Sequence, residues 1–222
     1  MDELFEKLKI KPIRKDLYSI AFSHSSYANE HKKKYDYERL EFLGDALLEL
    51  VMSDYLYRNY REDEGTMSKV RASYVCEKAL YRYSEDWGFT KYIKYGNGES
   101  QKPDEQAHVA IIADIFESLM GAIYLDLGYE VSKRVILDII TPYVENPDVS
   151  FFYDYKSSLQ EYAQAEHRVP VYELISEEGP AHDPTFTIQV KIDDIVYGKG
   201  VGSSKKDAEQ KAAFEALNKL AK

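Results

Sequence analysis

Glu38-Arg39-Leu40-Glu41-Phe42-Leu43-Gly44-Asp45 places three carboxylates at i, i+3 and i+7 inside an otherwise apolar pattern. At about 100° per residue, Glu38, Glu41 and Asp45 fall within about 60° of one helix face. Leu40, Leu43, Leu47, Leu50 and Val51 are expected on roughly the opposite side, as the core stripe. Three like charges stacked on one face repel, so such a helix costs stability unless a cation sits between them. Oxygen-only ligands favour magnesium, manganese or calcium.

The arrangement returns in Ile111-Ile112-Ala113-Asp114-Ile115-Phe116-Glu117, where Asp114 and Glu117 are i, i+3 neighbours in a strongly apolar run. Acidic side chains are rarely buried without a partner. A solvated acidic face would account for either segment alone. Two such segments, each set among apolar residues, favour one interior or cleft site where four or five carboxylates converge.

Outward from these segments, residues 1 to about 144 read as helices with short breaks. Amphipathic patterns run through about Leu4–Lys9, Arg14–Phe22, Tyr37–Arg58, Met67–Asp86, Val109–Asp126 and Glu130–Tyr143, punctuated by glycines, with a polar loop from Gly96 to Gln106. Period-two alternation is nearly absent, so this half is expected to be all-α. Glu145-Asn146-Pro147-Asp148-Val149-Ser150 is a polar, proline-bearing connector. The expected division is a helical domain over 1–145, a linker over 146–151 and a small α+β domain over 152–222. In the small domain, a helix over Tyr155–Glu166 precedes strands over Val169–Ser176, Thr185–Ile192 and Ile195–Gly200, then a helix over Ser204–Leu220. That α-β-β-β-α order predicts an antiparallel sheet with both helices on one face.

The 222 residues carry 44% apolar and 14% aromatic side chains, ample for ordinary cores. No run approaches about 18 consecutive apolar residues, and the Met1-Asp2-Glu3-Leu4 start lacks a signal-peptide pattern. One cysteine, Cys76, excludes an intramolecular disulfide and fits a reducing cytoplasm; its apolar setting reads as a small core residue. The formal charge of −10 argues at face value against nucleic acid, so any such binding must rest on local placement.

The small domain supplies such a placement. Ser203 or Ser204 caps the last helix, and Lys205 and Lys206 project from its first turn, where acids are ordinarily preferred. A docked phosphate backbone would reconcile them with the helix dipole. Gly179-Pro180-Ala181-His182-Asp183-Pro184 is a stiffened loop that can present His182, and Gln160 and Gln164 offer further contacts from the first helix. Together they suit duplex RNA, which is read by shape, 2′-hydroxyls and phosphates. Residues 152–222 hold nine Lys/Arg against twelve Asp/Glu, so Lys199, Lys205, Lys206 and Lys211 would have to form one face. No serine, cysteine or histidine constellation points to covalent catalysis, and His24 and His108 read as structural. A calcium-binding helical protein and a non-catalytic duplex-RNA-binding dimer are the rival readings.

These motifs together resemble bacterial ribonuclease III, the double-strand-specific RNA endonuclease, over essentially the whole chain. The Glu38–Asp45 string resembles that family's signature. Ala113-Asp114 through Tyr124-Leu125-Asp126 resembles its second acidic helix, Ser23-His24-Ser25-Ser26-Tyr27 an upstream turn, and Asp63-Glu64-Gly65 with Met67-Ser68-Lys69 a third acidic segment. Asp154–Glu161, Gly179–His182 and Ser204–Gln210 are similar to the double-stranded-RNA-binding domain. The resemblance implies a homodimer that cuts each strand once, leaving 5′-phosphate and 3′-hydroxyl ends with short 3′ overhangs. It implies that Glu41, Asp45, Asp114 and Glu117 hold magnesium, for which manganese can substitute, with Asp45 and Glu117 the essential pair. Glu38 and Glu64 match acidic positions that assist RNA engagement or metal approach. Phe42 lies only about 40° round the helix from Glu38, away from the apolar stripe, so it is an odd aromatic or an interface residue. In the family the matching aromatic plugs into the other subunit. Ribosomal, messenger and transfer RNA processing in the cytoplasm is the implied role. Tyr37 departs from the pattern, standing where asparagine is frequent; Thr66, the loop Ser100–Pro103 and Ala107–Ala110 depart as well.

Overall fold

The computed structural model describes residues 1–97, 105–145, 154–180 and 184–220; the 146–151 linker, loop residues 98–104 and His182 lie outside them. The chain divides into Met1–Pro142 and Tyr143–Lys222. The helical part runs α1 Asp2–Lys7, α2 Lys15–Ala21, α3 Ser25–Glu30, α4 Glu38–Asn59, α5 Glu64–Tyr74, α6 Glu77–Trp87, a 3-10 turn at Thr90–Tyr92, α7 Glu105–Leu127 and α8 Tyr129–Glu145. The second part runs α9 Tyr155–Ala165, β1 Val171–Glu178, β2 Thr185–Ile192, β3 Ile195–Gly202 and α10 Lys205–Leu220.

Helix α7 is the axis of the first part. Ile112, Ile115, Phe116, Leu119, Met120 and Ile123 are fully buried, and α2, α4 and α6 pack around them. Gln106–Leu127 is long and apolar enough to cross a membrane by composition, yet most of it is buried in this bundle. Buried hydroxyls tie it laterally: Ser118 Oγ donates to the Ala21 carbonyl at 2.7 Å and Ser84 Oγ to that of Ile112 at 3.2 Å. Asp126 near its end accepts from the Ile13 and Arg14 amides and from the Tyr18 hydroxyl, anchoring the N-terminal segment.

Several expectations are corrected. The single pattern over Met67–Asp86 is two helices, because Cys76 is extended (φ −76°, ψ 157°) and caps α6. Cys76 is therefore half-buried at a helix junction, its thiol donating to the Ser73 carbonyl at 3.3 Å, and not a core residue. Helix α3 falls in a stretch without amphipathic period, begun by the His24 side chain accepting from the Ser26 amide. Helix α7 starts at Glu105, inside the expected loop. His108 is exposed near the start of α7. Leu50, assigned to the core stripe of α4, is 56% exposed.

The sheet is antiparallel in the order β1-β2-β3. Asp193 and Asp194, both at positive φ, make the two-residue β2–β3 turn, the backbone that matches strand twist. Gly198, Gly200 and Gly202 alternate on β3, and a methyl on any of them would overlap atoms of α10 near Asp207, Ala208 and Ala212. Buried Ala208, Ala212 and Ala216 complete this small-residue contact, so α10 lies close on the sheet. Asp154 caps α9 through the Ser157 amide, and buried Gln210 donates to Asp154 Oδ1 at 2.7 Å, pinning α9 to α10.

Candidate active site

Helices α4 and α7 cross at two glycines. A methyl at Gly44 would overlap the Glu117 carbonyl oxygen, and one at Gly121 the carbonyl oxygen of Leu40. The approach is closer than any side chain permits, and it sets Glu41 of α4 beside Asp114 and Glu117 of α7. One carboxylate oxygen from each of the three lies within 4.8 Å of the others, and all three residues are half-buried.

Burial and crowding act in the same direction on these acids. Burial, then the charges of Asp114, Glu38 and Asp45, push the Glu41 carboxyl up to about 7. Burial, then Asp45, Asp114 and Glu41, push Glu117 up to about 8. Asp114 is raised by burial, and a hydrogen bond from Tyr37 works against the rise. Tyr37 is itself raised above the usual phenol range by burial and by the Asp114 charge, so its hydroxyl stays a donor. Near neutral pH the free site thus retains protons where a cation would serve better. The donor set fits a hard divalent ion: oxygen atoms only, three carboxylates, and unfavourable electrostatics without a cation.

Of the acids expected here, three come together. Asp45 is exposed and stands outside the group of three, although its charge acts on both Glu41 and Glu117. Asp45 directly follows Gly44, where α4 comes closest to Glu117, and its charge leads those that raise Glu117. Glu38 is likewise exposed and contributes through its charge. Glu64 opens α5, exposed, and accepts from Ser68 Oγ at 3.0 Å, while its neighbour Asp63 is the helix cap, accepting from the Thr66 amide at 2.8 Å.

Three residues of the site were not singled out as such from the sequence. Gly44 and Gly121 set the helix approach, and isolated glycines inside two apolar helical patterns were the available signal. Tyr37 touches Asp114, and no spacing rule points to it.

Phe42 is 82% exposed on α4. Leu50 and Tyr57, at 56% and 77%, fall within about 80° of it on the helix, and the exposed Ala46 lies between. Exposed apolar side chains gathered on one helix face form the kind of patch that interaction surfaces and ligand grooves share.

In the small domain Gln160 and Gln164 are exposed one turn apart on α9. Ser204 is the cap of α10, accepting from the Asp207 amide at 3.2 Å, while Asp207 accepts from the Ser203 amide at 3.1 Å. Lys205 and Lys206 are exposed in the first turn, and Lys205 reaches Glu177 at 3.9 Å. The expected four-lysine face is not formed. Lys211 is paired with Asp207 and its side chain is only 17% exposed, and Lys199 lies near Glu215, more than two helical turns from Lys205 and Lys206.

Residues 14–144 match the Ribonuclease-III-like family, and residues 155–220 match the double-stranded RNA binding motif. The chain is 46% identical over 220 residues to Ribonuclease 3 of Onion yellows phytoplasma, covering 99% of this chain and 91% of that one. It is 43% identical over 223 residues to Ribonuclease 3 of Listeria monocytogenes, covering 99% and 97%. The crystal structure of the nuclease domain of ribonuclease III from Campylobacter jejuni is similar at a TM-score of 0.56 and 30% identity, covering 66% of this chain and 97% of that domain. A second structure of that domain, at a TM-score of 0.55 and 33% identity over 63% of this chain and 94% of that one, is described by flexibility in a region involved in dimer formation.

Proposed function

We propose, on the premise that this chain belongs to the ribonuclease III family, that it cleaves double-stranded RNA in a magnesium-dependent reaction giving 5′-phosphate and 3′-hydroxyl ends with short 3′ overhangs. It is an endoribonuclease, and double-stranded RNA is its partner. The observation that carries the fuller reading is the half-buried group of Glu41, Asp114 and Glu117 within 4.8 Å. These three would hold magnesium or manganese, with Asp45 and Glu38 adding negative field from the exposed side. A bound divalent ion lowers the pKa of a water and neutralises charge on the scissile phosphate. Glu64, exposed at the start of α5, fits a role in RNA engagement. Gln160, Gln164, Lys205 and Lys206, with His182 of the loop outside the described residues, would hold the duplex by shape and phosphates. Because such contacts read no sequence, base-paired stems of ribosomal, messenger and transfer RNA precursors in the cytoplasm are the proposed substrates.

Duplex RNA incubated with magnesium should yield short duplexes whose 5′ ends are phosphorylated, while single-stranded RNA of the same sequence persists. Intact duplex at saturating protein and magnesium would instead support a non-catalytic duplex binder.

The exposed face of α4 supports a homodimer through Phe42. Phe42→Asp should move the protein from dimer to monomer in light scattering and lower cleavage, because a single subunit cuts one strand. A Phe42→Asp protein that remains dimeric would remove Phe42 from the interface.

The raised carboxyls predict a pH dependence with a definite sign. Between the ordinary glutamate value of 4.5 and about 8, the folded protein holds more protons on Glu41 and Glu117 than the unfolded chain does. These groups therefore make the metal-free protein lose stability as pH rises through that window. A cation that binds the ionised carboxylates restores it, by about 2.7 kcal/mol at a hundredfold excess over Kd. The melting-temperature gain on adding manganese should accordingly be several degrees larger at pH 8 than at pH 6. Equal gains at both values, read by calorimetry, would contradict the assignment.

A further inference from the structure

We propose that Tyr37 is a positioning residue that holds Asp114 as a one-oxygen ligand and so biases the centre toward small octahedral ions over calcium. The inference rests on the metal-centre reading of Glu41, Asp114 and Glu117. Tyr37 stands at the entry to α4, directly before Glu38, and is 6% exposed. Its hydroxyl donates to Asp114 Oδ2 at 3.0 Å. The ring has little freedom to do otherwise. It stacks on His24 with centroids 5.8 Å apart and planes 29° from parallel, and its backbone amide donates to the Ser23 carbonyl at 3.1 Å. His24 is held in turn, its Nδ1 lying 2.8 Å from Ser26 Oγ, which accepts from the Gly96 amide at 3.0 Å. The hydrogen-bond donor is thus part of a packed scaffold, delivered to the carboxylate from outside the group of three.

A carboxylate chelating a metal through both oxygens presents both to the ion. With one lone pair of Oδ2 taken by Tyr37 and the turn of the carboxylate fixed by that bond, Asp114 offers Oδ1 more freely than Oδ2. Calcium takes six to eight oxygens and often uses bidentate carboxylates, while magnesium demands near-ideal octahedra built from few carboxylates and several waters. Holding Asp114 to one oxygen therefore penalises calcium more than magnesium or manganese. It also sets the rotation of the carboxylate before the ion arrives, the usual part of an outer hydrogen bond to a ligand.

Tyr37→Phe in the full chain removes the hydroxyl and keeps the ring on His24. Manganese binding followed by electron paramagnetic resonance should weaken by about tenfold or more, the usual effect of losing such a partner. Calcium binding, read by competition, should weaken less, so the manganese-to-calcium affinity ratio falls by about threefold or more. An unchanged ratio overturns the proposal, whether both affinities hold or both fall together. Tyr37→Leu, smaller and also without a hydroxyl, decides by the same ratio if the phenylalanine variant does not fold. The wild-type protein and Glu117→Gln measured alongside separate the two levels of inference. Manganese binding that does not depend on Glu117 defeats the metal centre itself, whereas Glu117-dependent binding with an unchanged ratio defeats only the part assigned to Tyr37.

Discussion

Glu117→Gln should reduce duplex cleavage by about 10³-fold and at the same time raise the melting temperature of the metal-free protein at pH 8. The two effects share one cause. Glu117 is held to about 8 by burial and by Asp45, Asp114 and Glu41, so ionising it at pH 8 is unfavourable in the folded state. A neutral amide of the same shape removes that penalty. It also removes one of three carboxylates, and with it a ligand for an ion that would supply several kcal/mol of transition-state charge stabilisation. At about 1.36 kcal/mol per tenfold, about 4 kcal/mol corresponds to the stated loss. Duplex RNA binding should be unchanged, because the candidate contacts of α9 and α10 belong to the other unit. Cleavage rates, melting curves and gel shifts on the one variant check all three. A lower melting temperature with lost RNA binding would mean that Glu117 is structural.

Gly44→Ala is expected to be the most damaging single methyl in the helical part. The new Cβ would fall on the Glu117 carbonyl oxygen, which is backbone and cannot swing aside. Overpacking against side chains typically costs about 1–3 kcal/mol. Here α4 and α7 must separate, so the cost should lie at or above the top of that range. Alanine is otherwise the better helix former by about 1 kcal/mol, so propensity alone predicts stabilisation. The sign of the change in denaturant midpoint therefore separates the two accounts. Separation of the helices also moves Glu41 away from Glu117, and manganese affinity should drop together with stability. Gly88→Ala, on an open surface at positive φ, is the control for a glycine whose role is only conformational.

The two acidic helices were legible in the sequence because carboxylates at helical spacing among leucines and isoleucines are costly and few arrangements relieve them. Glu41, Asp114 and Glu117 follow from that reasoning directly. Asp45, on the same stripe, is exposed beside them and acts on both glutamates through its charge. The α5–α6 break was hidden because Cys76 caps a helix without the glycine or proline that usually marks one. Leu50 was placed in the core by periodicity, and a helix with a second apolar face defeats a one-stripe reading. Gly198 and Gly200 fall in the expected strand and Gly202 beyond it, yet the spacing of all three by two, opposite alanines, is what lets α10 lie on β3. Tyr37 was visible as a departure from the family pattern; its hydrogen bond to Asp114 depends on a fold that brings together residues far apart in sequence.

Anomalous diffraction from crystals grown with manganese would locate the ion itself. One or more manganese peaks should appear bonded to carboxylate oxygens of Glu41, Asp114 and Glu117, and should be lost in Glu117→Gln crystals. Manganese bound elsewhere, with these three carboxylates uncoordinated, would contradict it.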